Sequence, residues 1–240
     1  MEEMNRKWRL QCLYGKTWKA KEYAKSLVFS LPEESFQLFP SYFHILELEN
    51  PGTVTCVTTD REQQFKYCFW AFGSCIQGFS VVIRPVVAIN VTHLKGKFKG
   101  ILFVAVCKDA NEQIYPFAFG IGHVEDEESW SWFLNQLRRV ISCPKNAMFI
   151  SDQHLGIKNA VEKVFKDAHH GLCNYHLGKN VKNRFKREDV AAIFTMAANC
   201  YWVADFHKHM NQLKQLCKPA YDSLMRLGPE RWARARSPVR

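Results

Sequence analysis

Residues 84–100, RPVVAINVTHLKGKFKG, decide the fold of this chain, because a strand, a polar step and a basic turn follow one another there. The nearly continuous apolar run Pro85–Ile89 predicts a strand that is covered on both faces. Asn90 comes next, and a polar residue at the end of such a strand is costly unless it is paired or used. Thr92–Lys97 predicts a basic turn. We therefore expect the functional site to be built around position 90.

Two further apolar segments, 101–107 and 114–120, follow at short distances and predict strands. Short connections favour antiparallel pairing. The segments after them alternate, as a helix over 125–141, a strand over 147–150, a helix from 154, a strand over 170–173 and a helix over 174–186. Three antiparallel strands followed by helix-linked strands predict an α/β fold, with a mixed sheet covered by helices. This element order is that of the ribonuclease H-like fold.

The segments on both sides of this sheet are predicted to be mainly helical. The turn signal Asn50–Gly52 marks a boundary. After it, Thr53–Thr59 predicts a strand and Phe69–Ser74 a short helix that leads into the central strand. The predicted parts are a helical N-terminal segment over 1–50, the ribonuclease H-like domain over 51–187 and a helical insertion with the C-terminal segment over 188–240.

Two helical regions carry further expectations. The first 50 residues are interpreted either as a helical bundle that packs on the main domain or as a DNA-contacting module with a lysine face. In the last part, one apolar stripe is predicted at helical spacing, formed by Trp202, Phe206, Met210, Leu213 and Leu216. Residues 226–240 are predicted to form a basic tail that contains Trp232.

Composition narrows the class of protein. The 240 residues are 47% hydrophobic and 14% aromatic, which favours a packed core and argues against disorder. The net charge of +10 favours a polyanionic partner, nucleic acid above all, although a basic protein without such a partner has the same charge. Nine scattered cysteines predict reduced thiols rather than a disulfide framework. No signal peptide or membrane-spanning run is evident, so no membrane partner is predicted.

Two strand ends could carry phosphodiester chemistry. Cleaving or joining DNA requires charge at the phosphoryl group to be neutralised, which two divalent ions about 4 Å apart can do. Mg²⁺ prefers oxygen ligands, chiefly carboxylates. In the predicted fold Asn90 and Ser151–Asp152 lie at neighbouring strand ends, so Asp152 is a candidate Mg²⁺ ligand. Asp152 could instead cap the helix that begins near His154.

Several motifs, in order along the chain, resemble the catalytic domain of plant Mutator-like element (MULE) transposases. They are residues 84–96 (RPVVAINVTHLKG), 114–120 (IYPFAFG), 128–133 (ESWSWF), 150–152 (ISD) and 173–177 (CNYHL) with Asn180-Val181. Upstream, 16–21 (KTWKAK) and 50–53 (NPGT) are similar to the segment that precedes this domain in the family. The resemblance covers nearly the whole chain.

The resemblance implies a ribonuclease H-like fold with three catalytic acids, and Mg²⁺-dependent cleavage and strand transfer at terminal inverted repeats. It implies that Asp152 is the second acid and that Cys173 and His176 lie within reach of the DNA backbone. The first acid of the family is replaced here by Asn90, a neutral residue. The third acid is unknown, because Glu188, Asp189 and Asp205 have no matching context.

A basic helix face completes the set of candidate DNA contacts. Lys179, Lys182 and Arg184 could track phosphates, or they could form the solvated face of a helix. Cys173 and His176 could also be half of a zinc site, but no second cysteine pair accompanies them.

Two hypotheses follow. The first is a transposase-derived DNA-binding protein, truncated and catalytically impaired because of Asn90. In the alternative, an active Mg²⁺-dependent transposase, another acid replaces Asn90 and a partner subunit in a homo-oligomer supplies the third. Both imply DNA as the partner and the nucleus as the location.

Overall fold

The computed structural model describes residues 14–28, 32–82, 86–95, 98–108, 113–141 and 147–239. Two compact units are present, the first ending at Leu46 and the second extending from Glu47 to Arg240. The predicted boundaries at residues 50 and 187 stay predictions. Among the described helices, none has both the length and the hydropathy that crossing a bilayer requires.

The first unit consists of α-helices, as the sequence predicts. Helix α1 spans Tyr14–Val28 and helix α2 spans Pro32–Glu49, so α2 ends inside the second unit. The ring of Phe39 stacks on that of Phe43, with centroids 5.7 Å apart. Helix α1 leaves Trp18 and Tyr23 exposed to solvent.

The second unit contains a seven-stranded sheet and the remaining helices. In chain order the elements are β1 Val54–Thr59, β2 Phe65–Ala71, α3 Gly73–Val82, β3 Val86–His93, β4 Ile101–Lys108, β5 Ile114–Gly122, α4 Glu127–Val140, β6 Met148–Ser151, α5 Leu155–Val164, β7 His169–Leu172, α6 Asn174–Phe185, α7 Glu188–Asn199, α8 Val203–Leu216 and α9 Lys218–Arg226. Two short 3-10 turns, Pro229–Arg231 and Arg234–Arg236, follow.

The strand order across the sheet is β1-β2-β5-β4-β3-β6-β7. Strands β3, β4 and β5 pair antiparallel, whereas β6 joins β3 in parallel and β7 joins β6 in parallel. The last five strands in this order therefore form a three-stranded antiparallel part followed by two helix-linked parallel strands. This topology confirms the predicted ribonuclease H-like fold.

The segment before this five-stranded core differs from the expectation. Residues 69–74 were expected to be helical, but Phe65–Ala71 forms β2, which pairs with β1 and with β5. The helix begins only at Gly73. An aromatic-rich run such as FKYCFWA fits a pleated strand well, because its rings pack against neighbours on both faces. The prediction was wrong because β1 and β5 supply those neighbours.

One face of the sheet carries the main hydrophobic core. Helices α4 and α5 cover this face, and Trp130, Phe133 and Phe149 are completely buried there. The rings of Phe103 and Phe133 stack with centroids 5.1 Å apart. Gly120 permits this approach, since an added Cβ would lie 2.9 Å from the ring of Phe133.

The opposite face of the central strand is only partly covered, contrary to the prediction of a strand buried on both faces. Val87 and Ile89 are buried in the core, whereas Val86 and Ala88 are half-buried and line an open apolar groove. The strand also continues to His93, paired with Ile101, where a basic turn from residue 92 was predicted. The pairing with β4 keeps residues 91–93 extended.

A second hydrophobic cluster joins α6, α7, α8 and α9. Its buried members include Phe194, Phe206 and Trp232. The predicted basic tail over 226–240 is therefore wrong for Trp232, whose indole N–H donates to the carbonyl of Leu224 at 3.2 Å. The predicted stripe is correct at Phe206, Met210 and Leu213, but Trp202 is exposed, because it precedes the first turn of α8.

Candidate site at the carboxyl ends of three adjacent strands

The sheet register places position 90, which lies inside β3, next to the end of β6, which position 152 follows. Ala88 pairs with Ile150 across the parallel β3–β6 ladder. Asn90 and Asp152 each lie two residues further along, and side chains alternate with a period of two. Asn90 therefore continues the sheet face that Ala88 occupies, and Asp152 is the first residue after β6. Asn90 is exposed and Asp152 is half-buried.

The carboxylate of Asp152 shapes the turn that leads into α5. Its Oδ1 accepts a hydrogen bond from the backbone N–H of His154 at 2.9 Å. The residue at the helix cap is His154 itself, which makes no side-chain capping bond. Asp152 thus closes a turn just before the helix and is not the cap residue, so the interpretation of Asp152 as the helix cap was wrong.

The side chain of Asn90 is engaged locally. Its Oδ1 accepts a hydrogen bond from the backbone N–H of Val91 at 2.9 Å. This oxygen is the atom of the amide that could coordinate a cation, and it carries no formal charge. Position 90 therefore offers a cation one neutral oxygen ligand, where a carboxylate would offer two charged oxygens.

The third strand end carries Cys173. Ser151 pairs with Leu172 in the β6–β7 ladder, and the N–H of Cys173 donates to the carbonyl of Ser151 at 2.7 Å. Asn90, Asp152 and Cys173 therefore follow one another along one edge of the sheet. Cys173 is a half-buried free thiol that precedes the first residue of α6. His176 lies in the first turn of that helix, and its Nδ1 atom is buried with no partner among the described residues.

A hydrogen-bonded chain behind Asp152 was missed by the sequence analysis. The hydroxyl of Ser151 donates to the carbonyl of Asp152 at 2.9 Å and lies 2.8 Å from Nε2 of His170. The guanidinium of Arg231 donates to the carbonyl of His170 and lies 3.3 Å from its Nδ1. These directions fit a neutral imidazole that is protonated on Nε2. Residues 61 positions apart cannot be connected from spacing alone, so no local pattern predicts this contact.

Burial is the main reason why the pKa of His170 falls to about 4, and the nearby Arg231 cation lowers it further. Both effects disfavour the imidazolium. The ring therefore stays neutral near pH 7 and can donate to Ser151 while it accepts from Arg231.

The predicted DNA-contacting cations of α6 do not share one face. Lys179 and Lys182 line a groove of about 500 Å³ between α6 and α7, together with Tyr175 and Thr195. Arg184 lies on the other flank, where it donates to the hydroxyl of Ser223 at 3.1 Å. On that flank Asn180 donates to Gln153 at 2.8 Å, so this side of α6 rests against the loop after Asp152.

Within the described ranges, no group of three or more His, Cys, Asp or Glu side chains is arranged to hold a metal ion. The described residues therefore form neither a site of three acids nor a zinc site at Cys173 and His176. Glu188 is ion-paired with Lys182, and Asp189 with Arg187. Neither acid joins Asp152, and the third acid stays unidentified.

One known family matches the central part of the chain. Residues 86–180 match the family model of the MULE transposase domain. Residues 86–180, the MULE domain, are therefore similar to this family. The match begins at the first residue of β3 and ends within α6, so the MULE domain contains all three strand ends described above.

Two curated proteins are similar to this chain. Protein FAR1-RELATED SEQUENCE 5 of Arabidopsis thaliana is 24% identical over 181 residues, which is 75% of this chain and 22% of that protein. The PKS-NRPS hybrid synthetase cheA of Chaetomium globosum is 25% identical over 122 residues, which is 50% of this chain and 3% of that protein. The chain therefore spans less than a quarter of the length of either relative.

Two solved structures are distantly similar to this chain. One is a chain of the simian T-cell lymphotropic virus intasome in complex with PP2A regulatory subunit B56 gamma, with a TM-score of 0.29, 10% identity, and coverage of 59% of this chain and 47% of that one. The other is the HTLV-2 integrase catalytic core domain in complex with magnesium, with a TM-score of 0.29, 15% identity, and coverage of 51% and 92%. The assignment of the fold rests on the strand order and pairing.

Proposed function

We propose that this chain is a transposase-derived DNA-binding protein whose strand-cleavage chemistry is impaired. The observation that carries the proposal is the register of β3 and β6, which sets the neutral Asn90 beside Asp152 at one strand edge. A transposase-derived origin follows from the MULE domain. DNA binding and impairment are the parts that the proposal adds.

The electrostatic argument for impairment is direct. Mg²⁺ is bound in proteins chiefly through carboxylate oxygens, and two such ions need several of them. At this edge Asp152 supplies one carboxylate, and Asn90 supplies an amide oxygen that already accepts a hydrogen bond from Val91. The residues that the structure describes do not fit a two-metal site.

Several features support DNA as the partner. The net charge is +10, and Lys179 and Lys182 line a groove that opens between α6 and α7. Buried polar atoms nearly always have a hydrogen-bond partner. Asn174 Oδ1 and His176 Nδ1, both in the first turn of α6, have none among the described residues. Such atoms mark a place where a ligand or ordered water completes the hydrogen bonding.

The test uses purified protein with plasmid and short duplex DNA. Retention of duplex should fall steeply as salt rises, because phosphate contacts release counterions. Supercoiled plasmid should stay intact in Mg²⁺ or Mn²⁺ with the unaltered chain. Absence of salt-dependent retention would refute the DNA-binding part. Nicking by the unaltered chain, abolished in Asp152→Ala, would refute the impairment and establish the active transposase instead.

Two further expectations belong to this proposal. A DNA partner places the protein in the nucleus, which localisation of a tagged chain would check. If a second copy completes the site, the protein should be a homo-oligomer, and light scattering on the DNA-bound protein would detect it.

A further inference from the structure

The turn between α7 and α8 presents two adjacent aromatic side chains to solvent. Tyr201 is 68% exposed and Trp202 is 74% exposed. Isolated surface aromatics are common, but neighbouring exposed rings usually mark a contact surface. The fold does not need these rings, because Phe206 and Trp232 complete the buried cluster behind them.

The turn between α7 and α8 lies at the same end of the second unit as the candidate site. The groove between α6 and α7 is lined by Asn174 and Tyr175 at the start of α6 and by Asn199 at the end of α7. The start of α6 directly follows Cys173 and the edge that carries Asp152. Asn199 precedes Tyr201 by two residues, so the aromatic turn lies at the same end of the second unit as that edge.

The surroundings of the turn are cationic. The guanidinium of Arg234 stacks on the ring of Tyr201, with its central carbon 3.8 Å from the ring centroid. Lys179 and Lys182 line the same groove as Asn199 and the exposed Tyr175. Two acids lie in the same region, Asp205 in the first turn of α8 and Glu188, which is ion-paired with Lys182, so these three cations and two acids leave a net charge of +1. This charge favours a polyanion over an apolar protein segment.

Stacked rings beside cations are the chemistry by which proteins hold nucleic-acid bases that have left the double helix. Every base has a π-face, and stacking on an aromatic ring is tolerant of sequence. In an intact duplex the base faces are covered by their neighbours, so the rings of Tyr201 and Trp202 gain little from it. Lysines along the groove would hold the backbone of the same strand.

We propose that the aromatic turn, Tyr201 with Trp202, binds unpaired DNA bases next to the strand edge that carries Asp152. The inference rests on the DNA-binding function proposed above, and it specifies the form of DNA that this end of the molecule prefers. The preferred ligand is a duplex with an unpaired segment, rather than a continuous duplex.

Fluorescence anisotropy with labelled DNA tests the proposal. The probes are a duplex and a duplex of equal length and charge that contains a stretch of mismatched bases. The unaltered protein should bind the mismatched probe more tightly. Trp202→Ala should weaken binding of the mismatched probe about tenfold and that of the matched duplex less than twofold. Trp202→Phe, which keeps a ring, should recover most of the loss.

Trp18→Ala is the matched control, since Trp18 is also exposed, at 53%, but lies in the first unit. It should leave the ratio of the two affinities unchanged. Equal affinity for the two probes, or equal losses on both in Trp202→Ala, would overturn the inference while DNA binding itself stands. Absence of binding to either probe would refute the proposed function together with the inference. If the turn binds a protein and not DNA, Trp202→Ala should bind both probes as tightly as the unaltered chain does, and this result would also overturn the inference.

Discussion

The two faces of the central strand β3 differ in how completely their side chains are buried. On one face Val87 and Ile89 are buried under α4 and α5, in a core whose large rings are fully enclosed. On the other, Val86 and Ala88 are half-buried and the strand leads to the exposed Asn90. The core on the first face is closed, whereas the strand edge on the second face carries the neutral Asn90 near the carboxylate of Asp152.

This difference indicates that a substitution at position 90 can change cation binding without disturbing the packing of the core. A side chain that is exposed at a strand end contributes little to packing, so aspartate and asparagine are nearly equivalent there for stability. The same exchange removes a full negative charge from a cation site. An exchange between aspartate and asparagine at position 90 should therefore change cation binding much more than packing of the core.

Neighbouring residues of β6 give the largest expected contrast in stability. Phe149 is fully buried and its ring lies 4.4 Å from that of Phe165, whereas Ile150 is half-buried on the opposite face. Phe149→Ala should cost about 3–5 kcal/mol of unfolding free energy. Ile150→Ala should cost less than about 2 kcal/mol. Urea unfolding measures both, and equal losses would show that the two faces are packed alike.

The buried support of the site edge should make stability depend on pH. His170 has a pKa lowered to about 4 in the folded protein, against about 6.5 when unfolded. The folded state therefore binds fewer protons, so stability is present above pH 6.5 and is lost as pH falls towards 4. Between pH 7 and pH 5 the loss should be about 2 kcal/mol.

Urea unfolding at both pH values checks this, with His170→Asn as the variant and His207→Asn, at an exposed site, as the control. The variant should lose most of the pH dependence and the control should keep it. An unchanged pH dependence in His170→Asn would mean that the link from Arg231 to Ser151 does not hold a neutral ring.

The smallest expected effect concerns the cationic groove. Lys179→Gln should weaken binding of all DNA sequences alike and reduce the slope of log affinity against log salt by about 1. Lys163→Gln is the control, since Lys163 is an exposed lysine in the last turn of α5. Titrations at several salt concentrations measure the slopes. Equal slopes for the two variants would remove the groove from the DNA path.

Most of the scaffold could be predicted from the sequence, because its signals are local. The apolar periodicity of α4 and the short spacings from β3 to β5 define their elements directly. The strand β2 was missed because an aromatic run fits a helix or a strand equally until its partners are known. The same limit applies to Trp202, whose spacing fits the buried stripe although it lies before the helix.

The site was predictable only in part, for the same reason. Asn90 and Asp152 could be paired because the order of strands follows from the element order. The contact from Arg231 through His170 to Ser151 depends on how the C-terminal helices fold back, which no local pattern records. The split of Lys179 and Arg184 onto two flanks of α6 depends on which face α7 covers.

The most direct test of the central claim is the affinity for Mn²⁺ or Mg²⁺, measured by isothermal titration of the unaltered chain, Asn90→Asp and Asn90→Asp combined with Asp152→Ala. We expect weak binding by the unaltered chain, at least about tenfold tighter binding by Asn90→Asp, and loss of that gain in the double variant. Asn90→Asp should unfold at a similar urea concentration to the unaltered chain, since position 90 is exposed, whereas the double variant also loses the hydrogen bond from His154 to Asp152 and should unfold at a lower one. A gain that persists without Asp152, or no gain at all, would contradict a shared cation site at the ends of β3 and β6.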